Sequence, residues 1–126
     1  MIDMSHKRAR LGRLGESVAV RELTRRGYEV VSRNWRCWIG EVDVVARCGE
    51  TWRFFEVRTR RGREFGVPEE SLTATKIERM VDVACLYLAE HDENVYEIDW
   101  SIGLVAVEMD VAGRLLRVDV YENILQ

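Results

Sequence analysis

Two short segments contain the residue types that could bind a divalent metal beside a phosphate. They are Gly40-Glu41-Val42-Asp43 and Glu56-Val57-Arg58-Thr59-Arg60. In a hairpin in which Arg47 pairs with Trp52, Asp43 lies opposite Glu56. Directly opposed residues on one sheet face have Cβ atoms about 4.5 to 5.5 Å apart, and two carboxylates that close repel unless a positive charge lies between them. The pattern therefore predicts a Mg²⁺ or Mn²⁺ site at Asp43 and Glu56.

The same hairpin register places Glu41 opposite Arg58, and we expect these two residues to form a cross-strand ion pair rather than a metal site. Strict alternation would put Asp43 and Val45 on one face of the first strand. A second interpretation of the acidic residues is open at this point. They could be exposed carboxylates on a solvated hairpin face, balanced by neighbouring arginines.

A third carboxylate, Glu16, falls on the apolar face of the first predicted helix. Helical spacing places it between Val20 and Leu23. A lone charge on such a face is unfavourable to bury without a partner. A metal ion or an arginine of the site would supply that partner. The alternative is that Glu16 is an ordinary helix residue paired with Arg13 or Arg58.

The elements that must position these residues follow from hydrophobic periodicity and turn residues. We predict helices at 7–26 and 73–90, strands at 28–35, 38–47, 52–60, 104–109 and 115–121, a weaker strand at 96–100, and a loop at 61–68. Thr75 and Glu78 form a candidate capping box for the second helix. The order α-β-β-β-α-β-β predicts an α/β fold with helices packed on a mixed sheet. With 126 residues, the chain is expected to form a single domain at 1–126.

Charge is distributed unevenly along the chain. The formal net charge is -3, but residues 1–63 contain 15 Lys and Arg against 8 Asp and Glu, while residues 64–126 contain 4 against 14. A basic half attracts polyanions. The three cysteines have no C-x-x-C spacing, which argues against a disulfide framework or a zinc site. No apolar stretch approaches the ~18 residues that span a bilayer. We therefore expect a cytoplasmic protein without membrane contact.

Eight basic residues could bind a nucleic-acid backbone on either side of the acidic pair. These residues are Lys7, Arg8, Arg10, Arg13, Arg60, Arg61, Arg63 and Lys76. A simply solvated basic surface is the alternative. The tryptophans are expected to pack in the core, with Trp38 the one candidate for stacking on a base.

Three segments, in this order and spacing, resemble the bacterial YraN family. They are Arg13-Leu14-Gly15-Glu16, Gly40-Glu41-Val42-Asp43 and Glu56-Val57-Arg58-Thr59-Arg60, with Lys76 and Tyr87-Leu88 fitting the same pattern. The family is similar to archaeal Holliday-junction resolvases of the restriction-endonuclease-like PD-(D/E)-x-K superfamily. The resemblance implies a restriction-endonuclease-like core and hydrolysis of phosphodiester bonds with Mg²⁺ or Mn²⁺.

Carried over by position, the resemblance implies that Asp43, Glu56 and the carbonyl of Val57 bind the metal directly, with Glu16 contacting it through water. Arg58 takes the position at which the superfamily has a lysine, and Lys76 is the remaining candidate for a proton acceptor. Arginine stabilises negative charge, but its pKa above about 12 makes it a poor base. A second departure lies at Ser101-Ile102-Gly103, where the family tends to have Arg-Phe-Asp.

These observations lead to three hypotheses. The first is a metal-dependent endonuclease that acts on branched or flapped DNA and forms a homodimer, because cutting a junction needs two active sites. The second is a nucleic-acid-binding module of the same fold without hydrolysis. The third is a structural or protein-interaction domain whose acidic half binds a partner.

Overall fold

The computed structural model describes residues 4–91 and 93–125. The elements are α1 (Met4–Arg25), β1 (Glu29–Arg36), β2 (Glu41–Cys48), β3 (Thr51–Arg61), a 3₁₀ helix (Pro68–Ser71), α2 (Ala74–Glu90), β4 (Trp100–Met109) and β5 (Leu115–Tyr121). The predicted α/β class and the order α-β-β-β-α-β-β are confirmed. In the described ranges, no helix is both long and apolar enough to cross a membrane.

The five strands form one sheet in the order β1-β2-β3-β4-β5. β3 and β4 run parallel, and every other neighbouring pair is antiparallel. A parallel pair requires a long crossover, and α2 supplies it. β4 is buried along almost its whole length, as expected for a strand covered on both faces.

The core consists of two apolar clusters on opposite faces of the sheet. Phe54 belongs to the cluster beneath α2, together with Tyr87 and Ile102. Phe55 belongs to the cluster beneath α1, together with Leu23. Because Phe54 and Phe55 are consecutive in β3, alternation directs one to each face. The sheet therefore separates an α1 side from an α2 side.

Gly15 allows α1 to approach β3 closely. A Cβ atom on Gly15 would lie 1.8 Å from Thr59 Oγ1 and 2.9 Å from Thr59 Cβ. Only a residue without a side chain fits at this distance. The contact fixes the height of α1 above the sheet and thereby the position of the next residue, Glu16.

Gly103 lies in the segment 101–103, where the sequence departs from the family pattern described above, and it has a packing role. A Cβ atom on Gly103 would lie 2.5 Å from Phe55 Cε1 and 2.6 Å from the Tyr121 carbonyl oxygen. The missing side chain leaves room for the Phe55 ring. The neighbouring Ser101 is buried and its hydroxyl donates to the Glu122 carbonyl at 2.6 Å.

Three local predictions were wrong. Residues 96–98 lie in a turn, so the weaker strand predicted at 96–100 is absent there and β4 starts at Trp100 and runs through 101–103. Residues 38–40 form the connection between β1 and β2 rather than the start of a strand. The helix cap is Thr73, whose side chain accepts from the Lys76 N–H at 3.2 Å, so Thr75 does not begin α2.

Candidate metal and nucleic-acid site

The predicted hairpin register is correct over the part of β2 and β3 that is paired. Arg47 lies opposite Trp52, and the ladder continues to Val44 opposite Phe55. Beyond that pair β2 leaves β3. The two acidic residues that were expected to face each other, Asp43 and Glu56, therefore lie just past the last rung of the ladder.

Strict alternation fails at the point where the strands separate. Val42 and Val45 both belong to the α2-side cluster although they are three residues apart, while Val44 belongs to the α1-side cluster. On the neighbouring strand, Asn34 has a positive φ of 53°. The alternation on which the prediction that Asp43 shares a face with Val45 depended is therefore broken between Val42 and Val44.

The Asp43 carboxylate forms a hydrogen bond with β3 just past the end of the backbone ladder. It accepts a hydrogen bond from the Val57 N–H at 2.8 Å. Asp43 is 8% exposed, and its carboxyl group contacts that of Glu56. We refer to Asp43 and Glu56 as the carboxyl pair. The Val57 N–H has no backbone acceptor on β2, and the Asp43 side chain supplies one. The same side chain is one member of the carboxyl pair.

Burial and mutual repulsion disfavour the double negative charge of the carboxyl pair. Burial is the main cause that raises the pKa of Glu56 to about 7, and the Asp43 carboxylate adds to it. Burial likewise raises the pKa of Asp43 to about 6, opposed by the Val57 N–H and assisted by repulsion from Glu16. Neighbouring carboxyl groups with raised pKa values are typical of sites that bind a proton or a cation.

Cationic side chains flank the carboxyl pair on the α2 side. Arg58 Nη2 lies 3.0 Å from Glu56 Oε1, and the Arg58 Nε atom is buried without a partner among the described residues. Lys76 Nζ donates to the Ser71 carbonyl at 3.2 Å and lowers the pKa of Glu56. Glu41 pairs with Arg36 at 2.8 Å instead of with Arg58, so the predicted cross-strand pair is wrong.

These groups line an open cavity of about 240 Å³. We refer to it as the α2-side cavity, and its lining residues are Gly40, Glu41, Glu56, Arg58, Lys76, Arg79 and Met80. A Cβ atom on Gly40 would lie 3.1 Å from the Arg79 side chain, so this glycine brings the β1–β2 connection close to α2. The cavity combines one member of the carboxyl pair with three cations.

Glu16 lies near the carboxyl pair but has its own partners. Its carboxylate accepts from the Asn34 side-chain amide at 3.0 Å and lies 4.0 Å from Arg33 Nη2. Within residues 4–91 and 93–125, no three His, Cys, Asp or Glu side chains converge as a ready set of metal ligands. Glu16 is close enough to Asp43 for its charge to help raise the pKa of that carboxyl group.

The eight basic residues predicted to bind nucleic acid fall into separate groups. Lys7, Arg10, Arg13 and Arg61 line a second cleft on the α1 side. Arg8 is exposed on α1, Arg60 Nη1 donates to the Thr59 carbonyl, and Lys76 lines the α2-side cavity.

Arg63 is exposed, but it forms an ion pair with a buried carboxylate. Its Nε and Nη2 atoms donate to Glu108 at 2.6 and 3.3 Å, and this carboxylate also accepts from Arg117. Glu108 is only 2% exposed. Arg63 therefore neutralises a buried carboxylate, which leaves less of its charge for an external phosphate.

The chain matches the family model described as Uncharacterised protein family UPF0102 over residues 15–121. A UPF0102 protein of Roseiflexus castenholzii is 43% identical over 116 residues, which cover 92% of this chain and 93% of that protein. A UPF0102 protein of Nocardia farcinica is 51% identical over 92 residues, which cover 73% of this chain and 72% of that protein. The chain belongs to the UPF0102 family. This is the YraN family, so the predicted membership is confirmed.

The UPF0102 match contains the carboxyl pair, Glu16, Arg58 and Lys76, and it starts after the basic residues of the first helical turns. Sequence reasoning about this UPF0102 chain missed Asn34 and Arg33 as partners of Glu16, and Arg79 as part of the cavity. The residue type of Asn34 could have indicated an unusual backbone position, because asparagine is enriched at positive φ. Arg79 lies three residues after Lys76, which is the spacing of neighbours on one helix face.

Proposed function

We propose that this protein is a metal-dependent endonuclease that hydrolyses phosphodiester bonds in branched or flapped DNA. The observation that supports the proposal is the contact of the buried Asp43 carboxyl group with the half-buried Glu56 carboxyl group, beside a cavity lined by Arg58, Lys76 and Arg79. A carboxyl pair attracts a divalent cation, and surrounding cations attract the phosphate that such a cation would bind.

The residues present fit Mg²⁺ or Mn²⁺. Mg²⁺ usually binds through one or two carboxylates and keeps several water ligands, so a set of three protein carboxylates is not required. Asp43 and Glu56 would hold the ion, with the Val57 carbonyl as a further oxygen ligand. Glu16 would contact it through water. When bound, such an ion polarises a phosphoryl oxygen and lowers the pKa of a bound water.

The protein's own groups would act on the charge of the phosphate. Arg58 would stabilise negative charge that develops on the phosphoryl oxygens, since its guanidinium donates several hydrogen bonds in a fixed plane. Arg58 cannot accept a proton at neutral pH. Lys76, held beside Glu56 by the Ser71 carbonyl, is the candidate that could exchange a proton with water.

One observation favours a second function, a nucleic-acid-binding module without hydrolysis. The Arg58–Glu56 contact of 3.0 Å already supplies a positive charge to the carboxyl pair. In that case the ion pair replaces the metal, and the basic surfaces bind nucleic acid without cutting it.

Incubation of the purified protein with labelled DNA and Mn²⁺ separates the two functions. The substrates are a four-way junction, a flap, a duplex and a single strand. The test variant is Asp43→Asn/Glu56→Gln, which removes the charges and keeps the shapes. Glu50→Gln, in the exposed β2–β3 turn, is the matched control.

Cleavage of junction or flap that the test variant loses by at least about a hundredfold and the control retains supports the enzyme. Metal-independent binding with no cleavage of any substrate contradicts it and supports the module. Cleavage that persists equally in the test variant would place the activity in a contaminating nuclease.

A further inference from the structure

Three basic residues of α1 lie close enough together to repel one another. Lys7, Arg10 and Arg13 are spaced three residues apart, so they neighbour one another on one face of the helix. α1 begins at Met4 and has no acidic residue in its first turn. Like charges three residues apart on a helix repel, and Lys7, at the end of the first turn, also opposes the helix dipole. A bound anion would convert both unfavourable terms into attraction.

The fourth cation, Arg61 at the end of β3, is held in place by the backbone. Its Nε atom donates to the Val111 carbonyl at 2.9 Å. A Cβ atom on Gly113 would lie 3.9 Å from Arg61 Nη2, so the guanidinium lies beside the β4–β5 turn. The Nε contact fixes the plane of the guanidinium. A fixed guanidinium loses less entropy when it binds a phosphate in a bidentate manner.

The four cations surround a cleft of about 380 Å³, and none of its lining residues in the described part of the chain is acidic. Its floor is apolar and consists of Leu11, Leu14 and Met109. None of the ion pairs found in residues 4–91 and 93–125 involves these four cations. We refer to this surface as the α1-side cleft.

The α1-side cleft is separate from the carboxyl pair and its cavity. Met109 belongs to the core cluster on the α1 side, whereas Met80 of the α2-side cavity belongs to the other cluster. Arg61 follows Glu56 by five residues along β3, which is about 17 Å at the rise of a strand. The cleft therefore cannot be a part of the metal site, and its charges act on a different portion of any ligand.

We propose that the α1-side cleft binds the sugar-phosphate backbone of a nucleic acid away from the point of cleavage. Four cations match successive phosphates, and the apolar floor accommodates the sugars between them. The inference rests on the nucleic-acid-binding part of the proposed function and not on hydrolysis. Because Arg61 lies five residues beyond Glu56 along β3, a ligand that reaches both the cleft and the carboxyl pair must extend over about 17 Å, as a nucleic-acid backbone can.

The test compares Arg10→Gln/Arg13→Gln with Arg21→Gln/Arg25→Gln, which removes the same charge from the other end of α1. Binding of a fluorescein-labelled duplex and a labelled four-way junction is followed by anisotropy in EDTA over a series of KCl concentrations. EDTA prevents hydrolysis, so binding is measured alone. Circular dichroism melts verify that both variants are folded.

We expect Arg10→Gln/Arg13→Gln to weaken binding at least about tenfold and to reduce the slope of log K against log salt by about 1.8, because two phosphate contacts are lost. The control variant should change binding by about twofold or less. Equal losses in both variants would overturn the assignment, and so would a wild-type protein that binds neither DNA at low salt.

Two further measurements distinguish the alternatives. Sedimentation with phosphatidylglycerol vesicles that depends on Arg10 and Arg13, with DNA binding unchanged in the variant, would assign the cleft to a lipid surface and overturn the proposal. Cleft-dependent DNA binding by a protein that cuts no substrate in Mn²⁺ would support the cleft and contradict only the catalytic part of the proposed function.

Discussion

The carboxylate of Asp43 accepts the backbone N–H of Val57 at 2.8 Å, one residue beyond the last paired rung of the β2–β3 hairpin. A single side chain thus replaces the missing backbone acceptor of one strand and brings its charge against Glu56 on the other. The hydrogen bond links the two short acidic segments of the sequence into one site.

This hydrogen bond predicts different stabilities for two variants of Asp43. Asp43→Asn keeps an oxygen acceptor for the Val57 N–H, whereas Asp43→Ala leaves that N–H without a partner. An unsatisfied buried donor costs about 1 to 3 kcal/mol. Urea unfolding should therefore give Asp43→Ala a free energy of unfolding about 1 kcal/mol or more below that of Asp43→Asn. Equal values would mean that water satisfies the Val57 N–H in the variant.

The carboxyl pair predicts that stability without metal decreases as pH rises. The folded pKa values, about 6 for Asp43 and about 7 for Glu56, lie above the ordinary values of 3.8 and 4.5. Between these limits the unfolded chain binds fewer protons than the folded one, so the free energy of unfolding falls with pH. Each pKa unit corresponds to about 1.4 kcal/mol. Denaturant unfolding in EDTA should show a decline between pH 4 and pH 7 that Asp43→Asn/Glu56→Gln largely removes.

A metal bound by the carboxyl pair should stabilise the protein most at high pH. At pH 8 both carboxyl groups are ionised in the folded protein, and Mn²⁺ would compensate for their repulsion. At a hundredfold excess over its Kd, a ligand of the folded state adds about 2.7 kcal/mol. Differential scanning fluorimetry should show a higher Tm with Mn²⁺ for wild type and for Glu50→Gln. The same shift in Asp43→Asn/Glu56→Gln would place the ion elsewhere.

The close contact between Gly15 and Thr59 predicts that a side chain at position 15 destabilises the protein by a steric clash. Gly15→Ala favours the helix by up to about 1 kcal/mol, but its methyl group would overlap Thr59, and overpacking costs about 1 to 3 kcal/mol. We expect a net loss in chemical denaturation. Thr59→Ala in the same chain should restore part of it, because the Oγ1 and Cγ2 atoms that clash are removed. A destabilisation that Thr59→Ala does not relieve would contradict the contact.

We expect Trp38 to contribute to nucleic-acid binding rather than to the stability of the fold. It is 89% exposed, while its neighbours Cys37 and Ile39 pack against the core and hold the β1–β2 connection. Stacking on an unpaired base is worth about 1 to 3 kcal/mol by alanine substitution. Trp38→Ala should leave the Tm nearly unchanged and weaken binding of single-stranded or flap DNA about fivefold or more, while Trp38→Phe retains most of it. Unchanged affinity in Trp38→Ala would exclude stacking.

The paired part of the hairpin could be predicted from the sequence because it depends on local rules. The register from Arg47–Trp52 to Val44–Phe55 follows from alternation and turn position, and it leads directly to the expectation that Asp43 meets Glu56. The limits of α2 and the element order follow from hydrophobic periodicity in the same way. The capping residue was misplaced by two positions, since both Thr73 and Thr75 are suitable caps by type and only the backbone conformation selects one.

The sequence by itself determined the family, the fold class and the proximity of two carboxylates. These follow from the order, spacing and alternation of residues close together along the chain. The tertiary structure decided which charges are available. Whether Arg63 pairs with Glu108, and whether Glu41 pairs with Arg58 or Arg36, depends on residues from distant segments and on the break in alternation at Asp43. It also decided that Lys7, Arg10 and Arg13 meet Arg61 at a cleft, since only the close packing of α1 on β3 brings the helix to the end of that strand.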